Sequence, residues 1–161
     1  MLKTLNLTAA ILLTAALAPT SALASSYATL GGVTEHLGSI GYINDTGYHA
    51  YNELNKNMLG LELVNETSNV GLGFMSFSNS YSNPSALMFA SKYWPVTNQV
   101  KVGLLAGVVY GYTGRQMDTR LKIADKLHAM VAPTVKFDTD DLFSQVSLYG
   151  KAIVLSGGFK F

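Results

Sequence analysis

No cysteine occurs in this 161-residue chain, so neither a disulfide nor a thiolate metal site can hold it together. Charge is scarce as well: Asp, Glu, Lys and Arg make up 13% of the residues, about half the share of an ordinary soluble domain. The 11 basic and 10 acidic groups nearly cancel, which leaves no net field to draw nucleic acid or another polyanion. Proline is held to 4 residues, and only Pro133 falls inside a segment that reads as a strand. Beyond residue 24 no apolar run is long enough to span a membrane as a helix. Metal-ligand spacings and phosphate-cradling glycine loops are missing too, so the sequence implies no cofactor.

What is present begins with residues 1–24. Lys3 supplies a short basic start, Ala9–Leu17 an apolar stretch, and Ala22-Leu23-Ala24 a small-x-small exit. That order reads as a secretory signal, and its removal leaves about 137 residues, the length of one domain. An exported chain that lacks a spanning helix but stays apolar in composition points to an all-β, eight-stranded antiparallel transmembrane barrel over residues 25–161. A soluble secreted β-sandwich is the alternative, and it leaves the low charge unexplained.

Turn chemistry divides the chain into eight segments: Tyr27–Leu37, Met58–Val64, Val70–Ser78, Ala86–Trp94, Val100–Tyr112, Leu127–Phe137, Phe143–Tyr149 and Ala152–Phe161. Short polar turns around Asn65–Asn69, Thr97–Gln99 and Asp138–Asp141 alternate with mostly longer connections at Gly38–Asn57, Asn79–Ser85 and Thr113–Lys126. In outer-membrane barrels the short turns face the periplasm and the loops face outward, which puts both termini on the periplasmic side. Along Val100–Tyr112 one face carries Val100, Val102, Leu104, Ala106, Val108, Tyr110 and Tyr112, as a lipid-facing side would. The other face has Lys101, Gly103, Leu105, Gly107, Val109 and Gly111. It is small and mostly apolar, and fits either a dry interior pocket or glycines that relieve crowding in a narrow barrel. The loop Thr113–Lys126 carries Arg115, Arg120, Lys122 and Lys126, which either face lipopolysaccharide phosphates or are simply solvated.

Groups able to do chemistry gather at three places that this topology brings to the outer rim: Thr34-Glu35-His36, Tyr51-Asn52-Glu53 and Phe77-Ser78-Asn79-Ser80-Tyr81. Of the 3 histidines, His36 is the one with a serine-bearing strand end opposite; His49 lies in a loop and His128 at the start of another strand. An imidazole takes a proton from a hydroxyl near neutral pH, and a nearby Ser or Asn donates to a developing oxyanion. A hydrated surface histidine beside serines is the competing reading.

The succession Glu35-His36, Tyr51-Asn52-Glu53, Gly71–Tyr81, Tyr93-Trp94 and the final Phe159-Lys160-Phe161 resembles the PagP family, outer-membrane enzymes that move a palmitoyl chain from a phospholipid to lipid A. By that resemblance His36 matches the family's essential histidine and Ser80 its essential serine, while Asn79 stands where the family has aspartate. Asn79 would then position His36 or donate to the oxyanion, with Glu35 or Glu53 as a substitute carboxylate. Two further features depart from the family. Only about a dozen mature residues precede His36, too few for a leading amphipathic helix as well as a strand. No proline lies in Tyr27–Val64, whereas Pro133 interrupts the sixth strand and marks the expected seam for lipid entry.

The resemblance implies a monomeric acyltransferase of the bacterial outer membrane. Its catalytic residues would be His36, Asn79 and Ser80, its donor a phospholipid and its acceptor a lipid A-like molecule, with no nucleic-acid partner and no cofactor. A catalytically silent barrel that binds lipid or a surface ligand is the alternative, and a lipid hydrolase on the same rim is another.

Overall fold

In the computed structural model, residues 24–37, 41–44, 47–50, 54–112 and 122–161 are described. Eleven strands follow one another: β1 (Ala24–His36), β2 (Gly41–Asn44), β3 (Gly47–Ala50), β4 (Leu54–Asn65), β5 (Val70–Ser78), β6 (Pro84–Pro95), β7 (Val100–Tyr110), β8 (Lys122–Ala124), β9 (Leu127–Asp138), β10 (Leu142–Tyr149) and β11 (Ala152–Lys160). Eight of them pair antiparallel in chain order, β1-β4-β5-β6-β7-β9-β10-β11, and β11 returns to β1. The expected closed eight-stranded barrel is what forms. The signal reading falls on residues outside those described, apart from Ala24, which already pairs with Asn65 at the start of β1.

Alternation makes the wall. Along β9, His128, Met130, Ala132, Thr134, Lys136 and Asp138 are buried in the bore, while Val131, Pro133 and Phe137 face out. The same rule on neighbouring strands leaves Leu30, Leu59, Leu72, Met88, Leu104, Val146 and Leu155 exposed on the exterior. In water such a belt would be a liability; a barrel whose outer surface is this apolar has lipid as its outer solvent. No described helix is long and apolar enough to cross a membrane.

Three short turns (Asn65–Val70, Pro95–Val100 and Asp138–Leu142), the start of β1 at Ala24 and the final residue Phe161 share one rim. There Ser26 and Phe161 exchange backbone hydrogen bonds of 2.8 and 2.9 Å, tying the last residue to β1. Asn69 takes the left-handed conformation (φ 53°) that lets the β4–β5 turn close, one its side chain tolerates better than most. The longer connections gather at the opposite rim and are more structured than a loop reading implies. The Gly38–Asn57 connection contains the β2–β3 hairpin and the first residues of β4, whose polar start at Asn55 and Asn57 hides a strand from hydrophobic patterning. Within Thr113–Lys126, Lys122–Ala124 form β8 against the start of β9.

The bore has two halves. Toward the short turns it is polar. Lys136 Nζ lies 2.5 Å from Glu62 Oε2, and Glu62 Oε1 accepts from Ser91 Oγ at 2.5 Å and Tyr93 Oη at 2.9 Å. Lys101 Nζ contacts Asp138 Oδ2 at 2.6 Å, and Tyr27 Oη donates to the same oxygen at 2.8 Å. The Lys136 ammonium also sits 3.8 Å from the Tyr27 ring centre and 4.3 Å from that of Tyr93, on the ring faces that attract cations. Toward the loops the bore is apolar, filled by Met58, Met75, Leu87, Phe89, Leu105, Val109 and Met130. A small, mostly apolar interior, extrapolated from the single strand β7, therefore holds for the loop half only, because Glu62, Lys136 and Asp138 come from strands whose inward positions are not apolar. Glycines fit by making room. A Cβ on Gly73 would stand 2.3 Å from Phe89 Cζ, and one on Gly103 2.6 Å from Tyr93 Cδ1, so relief of crowding is the role at both positions.

Removing one member of a buried ion pair strands the other charge. Lys136→Met or Glu62→Leu alone should each destabilise the barrel by about 3–5 kcal/mol, whereas the double replacement should recover most of that loss. Urea unfolding in lipid vesicles measures all three; a double variant as unstable as the sum of the singles would rule out the pairing.

Candidate functional site

His36 is the last residue of β1 and pairs with Ala152 of β11 at the loop rim. Its inward aim depends on a defect in the strand. Ser25, Tyr27 and Thr29 fill the bore at odd positions, but Thr34 is buried and Glu35 exposed, so the inward parity switches to even numbers. The switch occurs at Gly31, where the ladders to both β4 and β11 slip. Gly31 has φ 120°, a conformation that residues with a Cβ rarely adopt. This bulge turns His36 toward the bore and Glu35 away from it. Glu35 therefore supplies no carboxylate to the imidazole from inside the barrel. Tyr51, Asn52 and Glu53 lie outside the described residues, as do Arg115 and Arg120.

Opposite His36 the chain leaves β5 at Ser78 and bends. Adjacent strand residues face opposite ways, yet Asn79 and Ser80 are both buried, because the bend begins at Asn79. Asn79 builds that bend. Its Oδ1 accepts from the backbone N–H of Tyr81 at 2.9 Å and of Asn83 at 3.0 Å, and its Nδ2 donates to Ser85 Oγ at 3.0 Å and to the Gly111 carbonyl at 3.2 Å. An amide has two donors and two acceptor sites, so the side chain is fully engaged in joining the β5–β6 turn to the end of β7. The backbone closes the same turn, with Asn79 N–H donating to Asn83 O and Ser82 N–H to Asn79 O.

The turn delivers Ser80 to His36. Ser80 Oγ lies 2.7 Å from His36 Nε2, a hydrogen bond between residues 44 positions apart in sequence. Ser80 is buried and His36 half-buried, so the pair is sheltered from bulk water yet close to the rim. When the hydroxyl donates, Nε2 is the imidazole's acceptor and its proton resides on Nδ1.

Tyrosines line the rim beside this pair. Tyr112 packs edge-on to Tyr81, with ring centres 6.4 Å apart, and with Tyr149 it rests against the apolar core. Burial first, then the neighbouring phenols Tyr81 and Tyr149, push the Tyr112 pKa well above its ordinary value, so its hydroxyl remains protonated at any physiological pH.

Two features of β9 complete the rim. On the flank away from β7, β8 pairs with Leu127 and His128, and β10 pairs with Thr134–Asp138. Between them Ala129–Pro133 has no ladder partner on that flank among the described residues, and Pro133 contributes no N–H there. His128 is fully buried, and neither ring nitrogen has a hydrogen-bond partner among the described residues. Sequence patterning assigns His128 no role, since a lone histidine at the start of a strand carries no local signal. The bulge is equally easy to overlook, although the Gly31-Gly32 pair inside an alternating segment marks it.

A search against family models finds no match, and a search of curated proteins finds none either. Among solved structures the chain is similar to Ail, the attachment invasion locus protein of Yersinia pestis, at 12% identity and a TM-score of 0.37, covering 86% of this chain and 97% of that one. A likeness at that level says nothing about what this chain does.

Asn79→Ala should leave the Tyr81 and Asn83 N–H groups and the Gly111 carbonyl short of partners, at about 1–3 kcal/mol for each one that stays buried. Chemical unfolding should report that loss, and limited proteolysis should cut first within 79–83; an Asn79→Ala protein of unchanged stability would refute the bracing role.

Proposed function

We propose that this chain is an acyltransferase of the bacterial outer membrane that moves an acyl chain from a glycerophospholipid to a hydroxyl of a lipid A-like acceptor. The observation that carries this reading is the hydrogen bond between His36 and Ser80, two residues the sequence singles out from separate segments. They sit at the loop rim, directly above the apolar half of the bore, where a lipid headgroup and its chain would divide.

In this reading His36 Nε2 takes the proton of the acceptor hydroxyl as its oxygen attacks the ester carbonyl of the donor. The tetrahedral intermediate collapses with cleavage of the bond to the glycerol oxygen, which recovers the proton from the imidazolium and leaves as lysophospholipid. With substrate in place, Ser80 Oγ–H turns from His36 to the developing oxyanion. Asn79 acts at one remove, by holding the turn that presents Ser80. No activated carrier is required, because the donor is already an ester. The acyl chain would occupy the loop half of the bore, where Met58, Met75 and Met130 are flexible enough to give way, and the polar half would stop it. Lipid would enter beside Pro133, where the β9 flank is unpaired. The leader at residues 1–24 supplies export, and a single barrel suffices as the working unit.

A second reading, a catalytically silent barrel that binds lipid, is favoured by two observations: the Asn79 amide is fully engaged in its turn, and Glu35 is exposed on the face away from the bore. Mass spectrometry of lipid A from cells expressing the wild-type, His36→Ala and Ser80→Ala chains separates the two. Transfer predicts a gain of one acyl mass with the wild type and its loss in both variants while they remain folded in the outer membrane. An unchanged lipid A in all three supports the silent barrel, and a mass loss with the wild type would instead mean hydrolysis.

A further inference from the structure

The inward side of β9 is polar at four of its six positions, and three of those have side-chain partners. Thr134 Oγ1 lies 2.9 Å from Ser147 Oγ, Lys136 is paired with Glu62, and Asp138 is held by Lys101 and Tyr27. His128 is the exception. It is 0% exposed, and both Nδ1 and Nε2 lack a partner among the described residues. Leaving a buried polar group unpaired costs about 1–3 kcal/mol, and an apolar side chain of similar shape would avoid that penalty. Folding alone therefore gives no reason for an imidazole here.

Its surroundings limit what could pair with it. His128 stands opposite Val109 of β7 and two residues from Met130, at the apolar, loop-side end of the bore. It also adjoins the Ala129–Pro133 stretch of the wall that has no ladder partner on its β10 flank among the described residues. Among the described residues, the cations inside the bore are Lys101 and Lys136, which lie in its other half and are engaged, while Lys122, which pairs with His128 from β8, is exposed. A phosphate drawn this deep would meet no buried cation among the described residues, whereas an ester carbonyl needs only one N–H donor and tolerates apolar walls.

We propose that His128 hydrogen-bonds an ester carbonyl of a phospholipid whose acyl chain occupies the loop half of the bore. His128 is thus a substrate-binding residue on the wall across from His36 and Ser80. The identity of the lipid rests on the acyl-transfer reading; the contact itself requires no turnover.

The test uses the full mature chain in detergent micelles, with 15N-labelled histidine and His36→Ala so that no ester is consumed. The probes are dipalmitoyl phosphatidylcholine and its dihexadecyl ether analogue, which keeps the phosphate and chains but lacks both carbonyls. His128 ring signals, identified by their disappearance in a His128→Phe protein, should shift with the ester and stay in place with the ether. Equal shifts with both lipids would assign the contact to phosphate or chain packing and overturn the proposal. No shift with either would overturn it as well, leaving His128 paired with buried water. In the otherwise wild-type enzyme, His128→Phe should raise the donor KM on the order of tenfold with kcat within about twofold, the signature of lost ground-state binding; an unchanged KM contradicts the contact. An ester-specific shift without any acyl gain on lipid A would retain His128 as a lipid contact and discard acyl transfer, and the converse result would do the reverse.

Discussion

Every peptide group that crosses hydrocarbon must find a partner within the protein, and the rest of this structure depends on that constraint. A strand cannot satisfy itself, so the sheet must close. It does so through β1, which pairs with β4 on one side and β11 on the other, and through β10, which pairs with both β9 and β11. Closure fixes which residues share the bore and which meet lipid. It also means that a local irregularity in one strand is felt across the whole wall. The bulge at Gly31 illustrates this: a single residue in the left-handed half of conformational space reverses the facing of all that follows in β1 and delivers an imidazole to the rim.

The two halves of the bore serve different ends. Buried ion pairs seldom add much stability against a well-packed apolar core, but they tolerate very few geometries. Glu62 and Lys136 come from strands on different sides of the barrel, and Ser91, Tyr93 and Gln145 crowd around them. Such a cluster fixes the register of several strands at once and blocks the bore, which excludes a water-filled channel. What remains toward the loops is a mostly apolar half packed with methionine, aliphatic and aromatic side chains, above which His36, Ser80 and the rim tyrosines lie.

Much of this architecture is legible in the amino-acid sequence. Seven of the eight barrel strands begin and end within three residues of where period-two alternation and turn chemistry place them, because each has one lipid face and one bore face; β4 starts four residues early, at Leu54. His36 and Ser80 stand out as polar strand-end residues, and the fold brings them into a hydrogen bond. Other features are hidden for physical reasons. The polar half of the bore is built from Glu62, Lys101, Lys136 and Asp138, which are far apart in sequence and meet only through closure. Asn79, a catalytic candidate by its sequence position, is engaged through contacts to Ser85 and Gly111 that no local pattern reveals. The burial of His128 depends on the packing of β7 and β9 around it.

The central claim is that His36 and Ser80 act as one unit at the rim of the barrel. A double-mutant cycle tests it most directly: transfer of radiolabelled palmitate from phosphatidylcholine to lipid A by purified wild type, His36→Ala, Ser80→Ala and the double variant. Groups that act together are strongly non-additive, so the double variant should be about as slow as the worse single one. Losses that multiply would mean that the two side chains contribute independently, and equal rates in all four proteins would contradict the account.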